Sequence, residues 1–354
     1  MKNLFTVCAL LCALLASACE EDVYKPSVPT PTPGPTPSVS KLKDNLLRGA
    51  HYAGSLNLAD PFIFVDKTDS VYYIYGTSTP AKGFKAYASP DLERWILMDG
   101  KASEGFALHK NNVMVSSGGT VYSDDKFWAP ELYKVGERYL MYYSASEHVY
   151  VAEAYSPLGP FTQTTTGFTP NAKGIDNSIF IDEDGKAYMY WVRFDNGNVI
   201  YCARMNDKLN QVDLSTLTFC FRATQSWELM QGKINEGPAV FKHSGLYYMV
   251  YSGNHYENQG YGVGVATATS PMGPWTKYAD NPILCKPGSL VGTGHCSVLT
   301  DLNGNMKMVF HAHASATAVN PRQTYITNLS FERVGGVDKL VASQAYTKLS
   351  LYQK

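Results

Sequence analysis

The stretch GIDNSIFIDEDGKAYMYW, residues 174–191, decides the fold. It opens with an acidic residue, Asp176, which leads into the apolar run 178–181. An acidic turn containing Gly185 follows, and the chain returns through an aromatic-rich second run, 187–191. Two apolar runs joined by a turn of Asp and Gly predict a β-hairpin.

The chain repeats this hairpin four more times. The first strands of the other copies are DPFIFV (60–65), WAPELY (128–133), EGPAVF (236–241) and HCSVL (295–299). Their second strands are VYYIYGT (71–77), RYLMYYS (138–144), LYYMVYS (246–252) and MKMVFH (306–311). Hairpin units that recur about every 50 to 70 residues are typical of propeller blades.

A second repeat lies downstream of three of these hairpins, where an outer pair of strands would follow. Its copies contain Ser-Pro and lie at residues 88–90, 155–161 and 269–275. Units of about four strands in five copies predict an all-β fold, a five-bladed β-propeller. The first strand of each unit would line the central axis, so the residues that begin these strands should converge at one mouth of the ring. They are Asp60, Trp128, Asp176, Glu236 and His295.

The N-terminus predicts export. Residues 1–18 combine Lys2, an apolar run and a small-residue end, which is typical of a secretory signal peptide and too short to span a membrane. Cys19 follows directly and resembles the lipidated cysteine of bacterial lipoproteins, which predicts a lipid anchor in the cell envelope. The alternative is plain cleavage and secretion, with Cys19 incidental.

The remaining chain divides into a tether and one domain. Residues 19–45 include a segment rich in Pro, Thr and Ser that cannot pack a core and should form an extended spacer. Residues 46–354 should form the propeller, which we expect to be a monomer. A single hydrophobic core rarely grows to this size. A propeller avoids the limit because each blade interface forms its own small core.

Charge and cysteine content exclude several classes of function. The chain has 30 Lys and Arg against 31 Asp and Glu, and no basic cluster stands out, which argues against nucleic-acid binding. Outside the N-terminal region the cysteines match no zinc spacing. They are Cys202, Cys220, Cys285 and Cys296. Cys202 and Cys220 could form a disulfide if their strands pair, and buried free thiols are the alternative.

Three carboxylates carry the predicted chemistry. Each alone has an ordinary explanation: turn initiation for Asp60 before a proline, an Asx-turn for Asp176, and solvation for Glu236. We interpret them as occupying the same position in three blades, where crowded carboxylates shift one another's pKa. Glycoside hydrolysis needs two carboxyl groups, one protonated and one ionised. A third negative charge nearby would keep the acid protonated.

The chain resembles glycoside hydrolase family 43 from about residue 58 to residue 331. The motifs that carry this resemblance are DP (60–61), WAPE (128–131), ID (175–176), EGP (236–238), GHCS (294–297) and PRQ (321–323). Their order makes the match more specific than any single motif. Two positions depart from the family pattern, Glu131 where Asp is commoner and Cys296 where Gly is frequent.

The resemblance implies a five-bladed propeller and an inverting mechanism. By it, Asp60 is the general base that activates water, Glu236 is the general acid, and Asp176 orients Glu236 and holds its pKa up. The chemistry itself requires no cofactor. The resemblance also suggests a calcium ion on the propeller axis near His295, although oxygen donors suit calcium better than an imidazole does.

Two further residues are candidates for substrate binding. Arg322 matches an arginine that reaches into the sugar pocket in the family, and a structural ion pair is the alternative. Trp128 could stack on a sugar ring or pack between blades. The substrate should be an oligo- or polysaccharide.

The resemblance favours an α-L-arabinofuranosidase acting on plant-type side chains. The alternatives are a β-D-xylosidase and an enzyme cleaving galactans or galactofuranosides. A surface glycan-binding propeller without turnover is an alternative of another class. That alternative predicts the loss of a catalytic carboxylate, and none is lost.

Overall fold

The computed structural model describes residues 41–113, 126–163 and 172–354. The expected signal peptide, Cys19 and most of the expected tether lie outside the described residues, so export and lipid anchoring stay predictions. The described part begins with a short helix, α1 (Lys41–Asn45). A search of the described residues finds no helix with the length and apolar character needed to cross a membrane.

Blade one is built from the first strands of the described chain. The strands of blade one in this part of the chain are β1 (His51–Ser55), β2 (Ala59–Asp66), β3 (Val71–Thr77), β5 (Tyr87–Ser89) and β6 (Arg94–Leu97), and the short strand β4 (Gly83–Phe84) lies between β3 and β5 in sequence. β4 leaves the blade and pairs with β7 (Leu108–His109). A 3₁₀ turn (Ser103–Gly105) precedes β7, and a short helix, α2 (Lys110–Val113), follows it.

The other four blades are antiparallel sheets of four strands, each starting at the axis. Blade two contains β8 (Trp128–Val135), β9 (Arg138–Ala145), β10 (His148–Ala154) and β11 (Thr162–Gln163). Blade three contains β12 (Gly174–Ile181), β13 (Ala187–Phe194), β14 (Asn198–Arg204) and β15 (Thr218–Phe221). Blade four contains β16 (Asn235–His243), β17 (Leu246–Gly253), β18 (Gly262–Ala268) and β19 (Thr276–Lys277). Blade five contains β20 (Gly294–Thr300), β21 (Met306–Ala312), β22 (Gln323–Val334) and β23 (Val337–Lys348). Two further 3₁₀ turns, Leu214–Thr216 and Ser226–Glu228, lie in the connections before β15 and before β16.

Both ends of the domain close the ring on blade one. The last strand, β24 (Ser350–Gln353), pairs antiparallel with β1 and parallel with β6. The first sheet therefore has the order β1-β24-β6-β5-β3-β2. This arrangement confirms the predicted all-β, five-bladed propeller.

The second strand of each blade is buried on both faces, which explains its apolar sequence. In β3, Val71, Tyr73 and Tyr75 pack toward blade two, whereas Tyr72 and Ile74 pack toward blade five. Successive side chains of a strand point to opposite faces, so one strand supplies two cores. The described residues form five such hydrophobic cores, one at each blade interface.

The first strands surround the axis, as predicted. A cavity of about 360 Å³ lies among them. Its lining includes one equivalent residue from every blade, namely Phe62, Glu131, Ser178, Ala239 and Ser297. Burial raises the pKa of Glu131 in this channel to about 7, and the hydroxyl of Tyr133 donates a hydrogen bond to its carboxylate.

The cysteines of the propeller are free thiols. Cys202 and Cys220 lie in the paired strands β14 and β15, and both are buried. Of the two alternatives left by the sequence, buried free thiols are therefore correct for this pair.

Candidate active site

Each first strand carries a β-bulge at the mouth, which we define as the end of the ring where these strands begin. The pairing register shifts between residues 59 and 62, 128 and 131, 175 and 178, 236 and 239, and 294 and 297. The second residue of each bulge has a left-handed backbone, with φ between 42° and 58°; these residues are Asp60, Ala129, Asp176, Gly237 and His295. Bulges re-aim side chains next to active sites.

This register corrects one prediction. Asp60, Asp176 and His295 occupy equivalent bulge positions, but Glu236 lies one residue earlier, at the position that Trp128 occupies in blade two. The interpretation that three acidic residues share one structural position is therefore wrong for Glu236. Pro61, Pro130 and Pro238 share the next position. Aligning the blades on these prolines therefore gives the correct register from the sequence.

The bulges are linked around the ring by hydrogen bonds from one blade to the next. The backbone N–H of each left-handed residue donates to a side chain of the preceding blade. In blades two, three, five and one the acceptors are Thr77, Ser144, Ser252 and His311, each from the second strand of its blade. A buried N–H must find such a partner.

Blade four is the exception, and its acceptor is Asp176. The equivalent position of blade three is Val192, which pairs with Ile175 and has no acceptor. The N–H of Gly237 instead donates to Oδ2 of Asp176 at 3.1 Å. Asp176 thereby fixes the backbone immediately after Glu236.

Asp60 lies in an environment that favours its ionised form. Nη1 of Arg322 lies 3.2 Å from its Oδ1, and its own N–H donates to Nδ1 of His311 at 3.1 Å. Burial opposes ionisation, but the charge of Arg322 and a hydrogen bond from Thr77 contribute to holding the pKa of Asp60 well below its usual range. An ionised carboxylate can accept a proton from water.

Glu236 lies in the opposite kind of environment. Burial raises its pKa to about 7 against two hydrogen bonds that favour the charged form. The hydroxyl of Tyr261 donates to Oε1 and the amide of Asn198 donates to Oε2, both at 2.9 Å. Glu236 can therefore hold a proton near neutral pH while both of its oxygens are kept in position.

Asp176 lies within the electrostatic influence of the other two carboxylates. Burial raises its pKa well above the usual range, and the negative charges of Glu236 and Asp60 raise it further. Two interacting carboxyl groups titrate as a pair. The pKa values of Asp176 and Glu236 are thus both raised, whereas the pKa of Asp60 is lowered.

His295 touches the carboxylates directly. Its Nδ1 lies 3.3 Å from Oδ1 of Asp60 and 3.9 Å from Oδ2 of Asp176. Burial lowers the pKa of His295, so the ring is neutral at pH 7. Among the described residues, no group of three or more His, Cys, Asp or Glu side chains could hold a metal ion. The axial calcium remains a prediction.

The two predicted substrate-binding residues lie at the mouth. Arg322 forms an ion pair with Asp60, which is the alternative that the sequence left open, and its guanidinium also lies over the ring of Tyr256 at 4.9 Å. Trp128 is half-buried, with Nζ of Lys126 5.8 Å from its ring centre. Their contacts with a sugar remain proposals.

Three residues of the site were not predicted from the sequence. They are His311, Tyr261 and Asn198, which contact Asp60 or Glu236. The repeat could have revealed His311, because it stands where other blades carry Thr77, Ser144 and Ser252. No spacing in the sequence pointed to Tyr261 or Asn198.

The fold and site together define a class of protein. One mouth of a five-bladed propeller holds a carboxylate whose pKa is lowered and a second carboxyl group whose pKa is raised, each with its own hydrogen-bond partners. Glycosidases use such a pair to activate water and to protonate the leaving oxygen.

Comparisons with known proteins agree with this class. The profile of glycosyl hydrolases family 43 matches residues 54–335. The crystal structure of an endo-1,4-β-xylanase from Bacteroides thetaiotaomicron is 40% identical, covers 85% of this chain and 99% of its own, and superposes with a TM-score of 0.75. The chain belongs to glycosyl hydrolase family 43 and is a glycoside hydrolase.

Two curated relatives match over most of the propeller. A β-D-galactofuranosidase from Aspergillus niger is 25% identical over 75% of this chain and 78% of its own length. An extracellular exo-α-(1→5)-L-arabinofuranosidase from Streptomyces avermitilis is 26% identical over 72% of this chain. The chain spans 54% of the length of the Streptomyces protein.

Proposed function

We propose that this protein is an inverting α-L-arabinofuranosidase that removes side chains from plant-type polysaccharides. Asp60 is the general base, Glu236 is the general acid, and Asp176 positions Glu236 through Gly237. One observation carries the assignment of roles: Arg322 lies 3.2 Å from Asp60, whose pKa is lowered, whereas Glu236 is buried and its pKa is raised to about 7. Two carboxyl groups whose environments separate their pKa values identify the acid and the base.

The reaction follows from these protonation states. Asp60 takes a proton from water as the water oxygen forms a bond to the anomeric carbon. Glu236 gives its proton to the glycosidic oxygen as the bond from that oxygen to the anomeric carbon breaks. Water attacks the face opposite the leaving group, so the product has inverted configuration. Proton exchange with solvent then restores both groups.

The choice of sugar rests on relatives. The Streptomyces relative, an exo-arabinofuranosidase, supports α-L-arabinofuranosides. A second candidate is the β-xylosidic bond, which the 40% identical endo-1,4-β-xylanase structure favours. The Aspergillus relative keeps β-D-galactofuranosides as a third substrate class to be tested.

Hydrolysis of a panel of glycosides, monitored by ¹H NMR, tests the choice of substrate. We expect the wild-type protein to release sugar from aryl α-L-arabinofuranosides and from arabinan side chains faster than from the corresponding β-D-xylosides and β-D-galactofuranosides. Preferential cleavage of xylosides or xylan would replace the arabinofuranosidase assignment by the second candidate. Failure to cleave any glycoside or polysaccharide would contradict the proposal.

The pH dependence of kcat/KM tests the assignment of the acid. Activity should fall about tenfold per pH unit above about pH 7, because Glu236 loses its proton there. Tyr261 donates to the carboxylate and favours its ionised form, so Tyr261→Phe should raise the pKa of Glu236 and move the alkaline limb to higher pH. Tyr155→Phe, an exposed tyrosine beyond the far end of β10, is the matched control. A limb that stays in place or moves to lower pH would contradict this role.

A further inference from the structure

Three large apolar side chains are exposed at the mouth, and all three belong to one side of it. Phe194 is 45% exposed, Leu229 42% and Met230 60%. The other large apolar residues exposed in the described chain belong to the outermost strands or to the ends of the blades farthest from the mouth. We call Phe194, Leu229 and Met230 the rim.

The rim adjoins both hydrogen-bond partners of the catalytic acid. Phe194 pairs in register with Asn198, so their side chains lie on the same face of blade three, and Asn198 donates to Glu236. On the other side, a Cβ built on Gly260 would lie 3.1 Å from Sδ of Met230, so Met230 covers the backbone beside Tyr261.

The connection that carries Leu229 and Met230 is anchored to the blade by a buried ion pair between Glu228 and Lys277. Glu228 is fully buried and lies 2.6 and 2.8 Å from Nζ of Lys277. Its carboxylate also accepts hydrogen bonds from the backbone N–H groups of Thr224 and Gln225 and from the hydroxyl of Tyr251. A buried charge is tolerated only when it is paired and hydrogen-bonded in this way.

The same hydrogen-bond network includes the residue that precedes the proposed acid, Glu236. Asn235, the residue before Glu236, donates to Glu228 at 3.1 Å and accepts from Lys277 at 2.9 Å. The connection is therefore held rigidly against the strand that carries the acid, while its two apolar side chains face solvent. An anchored segment that keeps large apolar groups exposed beside an active site is typical of a binding surface.

We propose that the rim binds the polysaccharide on the leaving-group side of the scissile bond. Glu236 protonates the leaving oxygen, so the chain released from the cleaved sugar must extend from the Glu236 side of the mouth. The uncharged rim suits the apolar C–H faces of neutral sugar rings. This inference rests on the proposed roles of Asp60 and Glu236 and names the part of the substrate that the rim holds.

The test measures binding in a variant that does not turn over. Glu236→Gln is compared with Glu236→Gln carrying Phe194→Ser and Met230→Ser, by affinity gel electrophoresis in soluble arabinan and arabinoxylan. We expect the rim substitutions to weaken polysaccharide binding about tenfold, which corresponds to about 1.4 kcal/mol. Tyr155→Ser in the same background, an exposed aromatic residue away from the mouth, should change binding less than twofold.

The inhibition constant of free arabinose gives a second readout in active protein. It should stay within about twofold in the rim variant, because a monosaccharide product occupies the other side of the scissile bond. Equal polysaccharide affinity with and without the rim, or no retardation by either polysaccharide, would overturn the inference. Hydrolysis by the wild-type protein is a separate assay, so rim-dependent binding without any turnover would reject the proposed reaction and leave the rim as a binding surface.

Discussion

Glu236→Gln should lower kcat on natural glycosides by roughly 10² to 10⁴-fold, the usual contribution of a general acid. The substituted amide can still accept from Tyr261 at the position of Oε1. At the position of Oε2 its NH₂ group faces Asn198, which is half-buried and can turn its amide so that its oxygen accepts, so the fold of the site should persist. It has no proton to give to the glycosidic oxygen. A sugar or alcohol is a poor leaving group, and its departure depends on that proton.

The dependence on leaving group distinguishes loss of an acid from loss of structure. The dinitrophenolate released from a dinitrophenyl glycoside is a stable anion and needs no proton to leave, so Glu236→Gln should hydrolyse this substrate at close to the wild-type rate. The thermal unfolding midpoint of the variant should match that of the wild type. Equal losses on natural and dinitrophenyl substrates would show that Glu236 is not the acid.

Asp60→Asn should reduce kcat by a similar or larger factor, but on every substrate alike. Asp60 is held ionised beside Arg322, and an amide at this position cannot take a proton from water. The attack of water is needed whatever group leaves, so an activated leaving group cannot compensate. Stopped assays on arabinan and on the dinitrophenyl glycoside would measure the two losses.

Asp60→Asn also removes the ion pair of Arg322. Arg322 is half-buried, and displacement of its side chain would add to the loss of activity. Asp60→Glu is the matched control because it keeps the charge and changes only the reach of the carboxylate. It should keep the thermal midpoint yet remain strongly impaired. Activity in Asp60→Asn comparable to wild type would exclude Asp60 as the base.

The repeat allowed the fold to be predicted in detail. Segments such as residues 71–75 and 247–251 are apolar or aromatic at every position because each one is buried between two neighbouring blades. Their recurrence at intervals of about 50 to 70 residues indicates the number of blades and the position of the axis. The C-terminal strands that close the ring carry no repeat motif, so their pairing with β1 and β6 emerged only from the structure.

The site was predictable only where it coincides with the repeat. Asp60, Asp176 and His295 begin first strands, so their convergence followed from the fold. Glu236 lies one residue before the bulge position that Asp60 and Asp176 occupy. The acidic residues alone do not show this offset, and only an alignment on the prolines reveals it. Asn198 begins β14, and Tyr261 lies in the connection immediately before β18. The paths of these connections depend on tertiary packing and leave no periodic pattern in the sequence.

The most direct test of the central claim is the configuration of the first sugar released, read from the NMR spectra of the wild-type protein. Hydrolysis of an α-L-arabinofuranoside is recorded in the first minutes, before the free sugar equilibrates between its anomers. An inverting mechanism requires that β-L-arabinofuranose appears first, because water attacks opposite the leaving group. Initial release of the α-anomer would contradict inversion, since it requires a carboxylate nucleophile in place of an activated water.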